Sequence, residues 1–580
     1  MKAQKQVIRR ACPSEHNLPS TLKDVTCRVL AGRGIVNTDQ LDLSLSKLFT
    51  NDQFSGIYKA ADIIIEVAES KGKILIVGDY DADGATSTAL GLLAFSSMGI
   101  EHIDHLIPNR FDLGYGLSPE LVEVAHELHQ PDLILTVDNG ITSVNAVERA
   151  KEIGIKVVIT DHHLPGDILP AADALVNPCL EGNAFESNNL AGVGVVFYLL
   201  GAIRERLKSK GWFAKKSIEV PKLVSFIDLV ALGTVADLVS LDQNNRRIVQ
   251  AGLRLIRSGK GNPGILALLS QAGRNLATLT AEDLAYSVAP QLNAAGRMSN
   301  MSLGIECLIA TDKAVSLSRA QKLFELNNQR KLVERNMQDE AIQIVGEIVN
   351  HQKQQVLPDG FCLYKEDWHE GVVGIVASRV KEIFHRPTVV FAKGKNGFLK
   401  GSARSIKGLH IRDVLAEIAN EKPTLISRFG GHAMAAGLSL SSAKIIEFRE
   451  LFSSILSKQM NESLLQEIIT TDGSLDATDF DLELAQELSE VSPWGQGFPA
   501  PTFDGVFDII RSRVVGIRHV SLLLGLPNSA QQVSAIAFNA FEESWWVEKS
   551  KVKLIFRLTV NNYRNRESLQ LNILHGTLVN

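Results

Sequence analysis

Lys73-Ile74-Leu75-Ile76-Val77-Gly78-Asp79-Tyr80-Asp81-Ala82-Asp83-Gly84 decides the fold class. Its first half is a short apolar run of the length and β-branched character of a buried strand, and its second half alternates aspartates up to a glycine where the chain turns. A helix-like stretch follows through Met98. Working outward, Leu133-Ile134-Leu135-Thr136-Val137 and Lys156-Val157-Val158-Ile159-Thr160 repeat the strand signal, each bounded by polar or Gly-containing residues. Short apolar runs alternating with helical stretches predict a parallel sheet with helices on its faces, an α/β domain.

The residues that leave these strands carry the chemistry. Asp79, Asp81 and Asp83 place at least two carboxylates close together before Gly84, and such carboxylates repel unless a cation lies between them. The strand ending at Val137 runs at once into Asp138-Asn139-Gly140, and the strand ending at Thr160 into Asp161-His162-His163. Three successive strands therefore release ligand-type residues at one sheet edge, where open α/β sheets bind ligands. A fourth apolar run, Phe226 to Leu232, leads into Gly233-Thr234-Val235-Ala236-Asp237 and adds Asp237.

A lone aspartate or histidine on a loop is more often a structural hydrogen-bonder, but the joint pattern outweighs that base rate. Mixed carboxylate and imidazole ligation suits Mn²⁺, with Mg²⁺ as the common substitute, and the lack of cysteine ligands argues against a closed zinc site. Two divalent cations roughly 3.5–4 Å apart would activate a water and neutralise a departing oxygen, the requirement of phosphoester hydrolysis. Asp79 is read as a supporting member that orients the loop or joins the ligands.

At 580 residues the chain exceeds what one core organises, so several domains are expected. Hydrophobic content of 45% with 22% charged residues is that of a globular enzyme, no apolar run is long enough to cross a bilayer, and the basic first residues lack an apolar stretch after them. A cytoplasmic protein without membrane partners is the expectation. The five cysteines are scattered, with no CxxC pair. A net charge of −5 gives no global reason to expect nucleic acid, so such a partner has to come from local patches.

Between about Leu317 and Val349, Leu323, Leu326, Val333, Met337, Ala341, Ile344 and Ile348 recur three and four apart, with Arg330 filling one slot between Leu326 and Val333, which predicts one long amphipathic helix joining two differently patterned regions. Beyond it, a second α/β region is followed by short strand-like runs, Lys553 to Leu558 and Leu569 to Leu574, that suggest a small β-barrel. The expected division is an N-terminal segment over 1–50, the acidic-loop domain over 51–310, a linking helix over 311–352, a second α/β domain over 353–460 and a barrel over 461–580.

These motifs resemble the DHH phosphoesterase superfamily, whose name-giving triplet stands here as Asp161-His162-His163, and within it the bacterial single-strand-specific exonucleases. The likeness also rests on Ile107-Pro108-Asn109-Arg110, Gly114-Tyr115-Gly116-Leu117, Leu190-Ala191-Gly192-Val193-Gly194, Asn293-Ala294-Ala295-Gly296-Arg297, Gly401-Ser402-Ala403-Arg404-Ser405 and Phe429-Gly430-Gly431-His432. The resemblance implies a metal-dependent 5′→3′ exonuclease that releases mononucleotides from single-stranded DNA with a 5′ end during repair and recombination. It implies a monomer that works with a helicase and a single-strand-binding protein.

Position by position, the resemblance implies Asp81, Asp83, Asp138, His162 and Asp237 as metal ligands, and His163 as the group that contacts the scissile phosphate or assists proton transfer, with Asp161 beside it. It implies a DHH-associated domain in the second α/β region. There Lys393, Lys395, Lys400, Arg404 and Lys407 cluster around Gly401-Ser402, and Ser402, Arg404, Gly431 and His432 would grip a 5′-terminal phosphate while Arg110 and Arg297 line the strand's path. The C-terminal region would be an OB fold, introduced by Pro493-Trp494-Gly495-Gln496-Gly497-Phe498-Pro499, with Trp494, Phe498 and Tyr563 as base-stacking candidates or barrel core.

Overall fold

The computed structural model describes residues 5–13, 15–109, 116–351, 357–394, 397–526, 529–563 and 566–579. Two compact units divide the chain: Arg9–Glu325 with Thr471–Asn580, and Leu326–Thr470 with the first residues of the chain.

In the larger unit a five-stranded sheet holds β1 (Ile74–Gly78), β2 (Ile103–Leu106), β3 (Leu133–Val137), β4 (Lys156–Thr160) and β5 (Ala174–Val176). All its pairings are parallel, in the order β2-β1-β3-β4-β5. Strands β1 and β3 are buried on both faces, which is why they read as continuous apolar runs. Helix α1 (Ala82–Ser97) follows β1, α2 (Pro119–His129) follows β2 and α3 (Val144–Glu152) follows β3. Ile74 and Ile76 pack with Ala85 and Ala89 of α1 on one face. Leu75 and Val77 pack with Leu121 of α2 and Val147 of α3 on the other. The chain thus leaves β1 toward one face and β3 toward the opposite one, opening a crevice between their carboxyl ends, the switch point at which doubly wound sheets hold ligands.

Helices α4 (Gly192–Ser209), α5 (Ile227–Ala236) and α6 (Ala289–Met298) enlarge the core on the α1 face. The apolar run leading to Asp237 is therefore a helix rather than a further strand. Every residue from Ile227 to Val235 is buried, and a helix enclosed on all sides loses the one-sided spacing that marks it in sequence.

Helix α7 spans Lys313–His351, matching the predicted long helix. The smaller unit holds a mixed sheet of β6 (Phe361–Tyr364), β7 (Thr388–Lys393), β8 (Phe398–Arg404), β9 (Arg428–Gly431) and β10 (Ala435–Ser441), in the order β9-β10-β8-β7-β6. Only β6 and β7 run parallel, with α8 (Val373–Phe384) as their crossover helix.

The C-terminal strands, β11 (Phe503–Val515), β12 (His519–Gly525), β13 (Gln532–Ala537), β14 (Lys551–Tyr563) and β15 (Arg566–Leu578), close a barrel in the order β11-β12-β13-β15-β14. Its Phe503, Phe507 and Phe556 share a core with Val25 and Val29 of the helix Asp24–Ala31, while Leu30 of that helix joins the core of the parallel-sheet domain. Among the described residues no helix is long and apolar enough to cross a membrane.

Candidate metal centre and phosphate-binding surface

The aspartates after β1 are shaped by the start of α1. Asp81 is its N-cap, extended at φ −112°, and its Oδ1 accepts from the amides of Asp83 (2.9 Å) and Gly84 (3.0 Å). Asp83, one residue into the helix, points away from solvent. Its Oδ2 accepts from Gly192 N (2.6 Å) and its Oδ1 from Val193 N (3.0 Å), the first amides of α4, which has no capping side chain of its own. One carboxylate thus serves the centre and caps a helix more than a hundred residues downstream.

After β3 the chain turns sharply at Asp138, in the left-handed region at φ +64°. Asn139 donates to the carbonyls of Val77 and Val137, both at 3.0 Å, and so ties the ends of β1 and β3 together. After β4, Asp161 anchors its own triplet: Oδ1 accepts from His162 N (2.7 Å), His163 N (3.1 Å) and His163 Nδ1 (2.7 Å), and Oδ2 accepts from Ile141 N (2.9 Å). His162 then reaches inward. Its Nε2 lies 3.1 Å from Asp138 Oδ1, 3.4 Å from Asp237 Oδ2 and 3.9 Å from Asp83 Oδ2.

Three overlapping groups bring their donor atoms within 4.8 Å of one another: Asp138, His162 and His163; Asp83, His162 and Asp237; Asp79, Asp81 and Asp138. The structure therefore gathers every ligand expected from sequence, Asp79 among them. Asp161 stands behind the others, with both oxygens bound to the chain itself. The electrostatics fit a cation. Burial, reinforced by the Asp81 charge, lifts the Asp83 carboxyl to about 7 despite the Gly192 and Val193 amides. Burial followed by the neighbouring carboxylates holds Asp138 and Asp237 well above the ordinary range. For His163, burial disfavours the charged ring, but the hydrogen bond and charge of Asp161 outweigh it and lift the imidazole to about 9. The same partner holds Asp161 below the ordinary range against its burial.

These shifts tie cation binding to pH. An acid whose folded pKa is raised makes the folded state less stable as pH climbs from the ordinary carboxylate range through the raised value, here about 7 for Asp83. A divalent cation reverses that penalty, and protons compete with it. The rise in melting temperature on adding Mn²⁺ should be clearly larger near pH 8 than near pH 5.5 by scanning fluorimetry; an equal rise at both would mean these carboxylates do not hold the ion.

Supporting residues that the sequence reading placed elsewhere, or passed over, are glycines and one asparagine. Asn293 Oδ1 accepts from Ala82 N at 2.8 Å, steadying the acidic loop from α6. A Cβ on Gly296 would lie 1.9 Å from the Tyr80 carbonyl, one on Gly192 2.6 Å from Asp138 Cβ, and one on Gly233 2.8 Å from Asp83 Oδ1. The signal available in sequence was glycine next to small residues at helix starts and ends. Arg297 follows Gly296 on α6, and Arg110 lies outside the described residues.

In the smaller unit, Ser402 and Arg404 lie two apart on β8, and Arg404 Nη1 donates to Ser402 Oγ at 2.7 Å. The start of α8 covers them: a Cβ on Gly374 would lie 2.8 Å from Arg404 Nη2 and 3.0 Å from Ser402 Oγ. That helix has no side-chain cap, so its first amides, the guanidinium and the hydroxyl share one side of the sheet. The run His369-Glu370-Gly371-Val372-Val373-Gly374 that builds this turn was missed in the sequence reading, although glycines flanking a valine pair at a strand-to-helix crossover are its signature. Gly431, at φ +141°, and the exposed His432 close the hairpin between β9 and β10, where His432 N donates to Ala435 O at 2.8 Å. The basic cluster expected here is weaker than its composition. Lys393 is paired with Glu366 at 2.6 Å and Lys400 with Glu370 at 3.0 Å, while Lys395 lies outside the described residues.

Trp494 and Phe498 are not placed for stacking on bases. Their rings stack on each other at 5.0 Å, Arg246 lies 4.4 Å over Phe498, and Trp494 Nε1 donates to Leu488 O at 2.7 Å. The loop carrying them is fastened to the parallel-sheet domain by Leu241 N to Gln496 O at 2.7 Å. Both rings are docking residues of the barrel. The Tyr563 side chain lies outside the described residues.

A carboxylate and imidazole cluster at the switch point of a doubly wound parallel sheet defines the class of DHH-type proteins, and the family model described as the DHH family, N-terminal domain, matches residues 73–234. The DHHA1 domain matches residues 355–458 and the RecJ OB domain residues 471–575. The chain belongs to the RecJ family: it is 44% identical over 575 residues, 99% of each chain, to the single-stranded-DNA-specific exonuclease RecJ of Escherichia coli. Its fold is similar to that of RecJ from Thermus thermophilus in complex with Mn²⁺, with a TM-score of 0.80 at 24% identity over 99% of this chain and 80% of that one. An exonuclease RecJ bound to manganese gives a TM-score of 0.58 at 31% identity, over 70% of this chain and 95% of that one.

Proposed function

We propose that the chain is a metal-dependent exonuclease that degrades single-stranded DNA from its 5′ end and releases mononucleotides. The observation that carries this reading is the convergence of Asp81, Asp83, Asp138, His162 and Asp237 on one crevice, in a chain whose full-length relatives are single-stranded-DNA-specific exonucleases. Asp79 supports the acidic loop. Two divalent cations, Mn²⁺ or Mg²⁺, held by these residues would supply Lewis-acid polarisation of the phosphoryl oxygens and an acidified water as nucleophile.

The chain's own groups do the rest. His163, less buried than His162 and held through Nδ1 by Asp161, contacts the scissile phosphate or assists proton transfer. Asp161 is a positioning residue: it holds the His163 ring through Nδ1 and fixes the backbone of the triplet. Arg110 and Arg297 contact the strand on its way to the centre.

Ser402, Arg404, Gly431 and His432, with the amides at the start of α8, take the 5′-terminal phosphate. Arg404→Ala should raise KM for a 5′-phosphorylated strand on the order of tenfold while changing kcat little, the pattern of lost binding that is uniform between ground and transition states. A 5′-hydroxyl strand should be nearly indifferent to the change. If both strands respond alike, Arg404 does not read the terminal phosphate.

The barrel binds the single strand and, with the crevice, excludes duplex, so blunt duplex should be digested far more slowly than the same sequence as a single strand. Equal rates would overturn the proposed substrate. The cellular setting consistent with this activity is a cytoplasmic monomer in DNA repair and recombination, supplied with strands by a helicase and a single-strand-binding protein. A non-catalytic scaffold is the competing reading. It would win if the purified protein bound single strands with Mn²⁺ present and released no nucleotides.

A further inference from the structure

Where the N-terminal segment passes the helix Asp24–Ala31, Arg10 and Arg28 face a half-open cavity of about 220 Å³ that is also lined by Gly32, Gly473 and Ser474. The charges around it do not balance. Its lining contains one carboxylate, Asp472, already held by Arg33 through two bonds of 2.8 and 2.9 Å and by Thr502 N at 2.9 Å. Arg9, also at the rim, is engaged by Asp504 through bonds of 3.2 and 2.9 Å.

Arg10 and Arg28 are left with little. Arg10 Nε approaches Asp472 Oδ1 at 3.3 Å without making a hydrogen bond, and Arg28 donates once, from Nη2 to Ser474 O at 2.8 Å. The Nε atoms of both guanidiniums are buried and have no hydrogen-bond acceptor among the described residues. Two like charges and several N–H donors thus converge on a small cavity whose single carboxylate, Asp472, is shared between Arg10 and Arg33. Gly32 makes the arrangement sterically feasible, since a Cβ there would lie 2.9 Å from Arg10 Cδ.

We infer that this cavity is an oxyanion site that takes one phosphate group. Planar guanidinium forks match the oxygens of a phosphate, and the cavity holds a phosphate with its nearest waters but not a whole nucleotide. Asp504 N donates to Gly473 O at 3.1 Å, so the rim of the cavity is bonded to the first strand of the barrel. The phosphate is either a phosphodiester of a strand running along the barrel, a source that rests on the function proposed above, or free orthophosphate.

The test uses the full-length protein without divalent cations, in an Arg404→Ala background that silences the other phosphate site. Orthophosphate should raise the melting temperature, and Arg10→Met or Arg28→Met should weaken that response at least about tenfold, the scale of losing a charge-assisted bidentate contact. In a second arm, the slope of log affinity against log salt for a single-stranded oligonucleotide should shrink by about 0.7 in Arg10→Met if a strand phosphodiester occupies the site. A lost phosphate response with an unchanged slope assigns the site to free phosphate. Arg10→Lys, which keeps the charge, should retain part of both signals and controls for folding. Unchanged phosphate response and unchanged slope, or a parent protein whose melting temperature ignores phosphate, would overturn the inference. Hydrolysis by the wild-type protein, scored separately, tests the parent function alone.

Discussion

Asp83→Ala should lower the hydrolysis of a single-stranded oligonucleotide on the order of 10³-fold or more, the scale of deleting a group that stabilises transition-state charge. Two roles meet in this carboxylate. It lies 3.9 Å from His162 Nε2 within the cluster that also holds Asp237, and it accepts the first amides of α4 at 2.6 and 3.0 Å. Alanine removes both, so the variant also loses about 1 kcal/mol of stability, the cost of a missing helix cap. Asparagine separates the roles in part: it removes the charge and keeps one oxygen to accept from α4, while its NH2 faces the second amide. Asp83→Asn should melt above Asp83→Ala and still fail to hydrolyse. Affinity for a single strand, measured with chelator present, should stay near that of the wild type in both. Retained hydrolysis in either variant would remove Asp83 from the ligand set.

Gly296→Ala should damage the same centre from outside it. Its Cβ, fixed rigidly to the backbone of α6, would lie 1.9 Å from the Tyr80 carbonyl oxygen, a backbone atom of the acidic loop, so no flexible side chain can yield. The loop between β1 and α1 must move, and Asp79 and Asp81 move with it. The overpacking should cost about 1–3 kcal/mol, and Mn²⁺ affinity should fall about 10- to 100-fold, as when a group supporting metal ligands is lost. Calorimetric titration reads the affinity directly. Gly346→Ala is the control, because nothing lies within 4 Å of a Cβ there and alanine in a helix interior stabilises by about 1 kcal/mol. Wild-type cation affinity in Gly296→Ala would show that the loop does not depend on this contact.

What could be read in the sequence followed from locality. A buried parallel strand must be a short apolar run, and its carboxyl end must open on a loop, so β1, β3 and β4 and the residues after them were legible as neighbours in the chain. Helix α7 was legible because its apolar residues keep one spacing over many turns. Helix α5 was not distinguishable as a helix, since complete burial erases the periodicity that separates helix from strand. The second role of Asp83 was hidden because its partners, Gly192 and Val193, lie in a different helix and contribute only backbone amides. Gly296 and Asn293 were read for their motif alone, because their task is to fit the acidic loop, and a fit between distant segments leaves no local pattern. For Trp494 and Phe498 the sequence left base stacking and core packing both open, and packing holds: Arg246 and the neighbouring core keep them as a docking joint.

Counts of basic residues mislead in both directions. Lys393 and Lys400 read as a phosphate patch but are paired with Glu366 and Glu370. Arg28 attracted no notice in the sequence and Arg10 was read only as part of a basic start, yet the bidentate claim of Arg33 on Asp472 leaves the two facing a cavity whose one carboxylate is already shared.

Whether one crevice uses divalent cations to cut single strands from the 5′ end is tested most directly by digesting a strand labelled at either its 5′ or its 3′ end, with Mn²⁺ and again with excess chelator. The 5′ label should appear at once as mononucleotide while the 3′ label persists in progressively shorter strands, and chelator should stop both. Mononucleotide released first from the 3′ label, internal fragments from either label, or digestion that continues in chelator would contradict it.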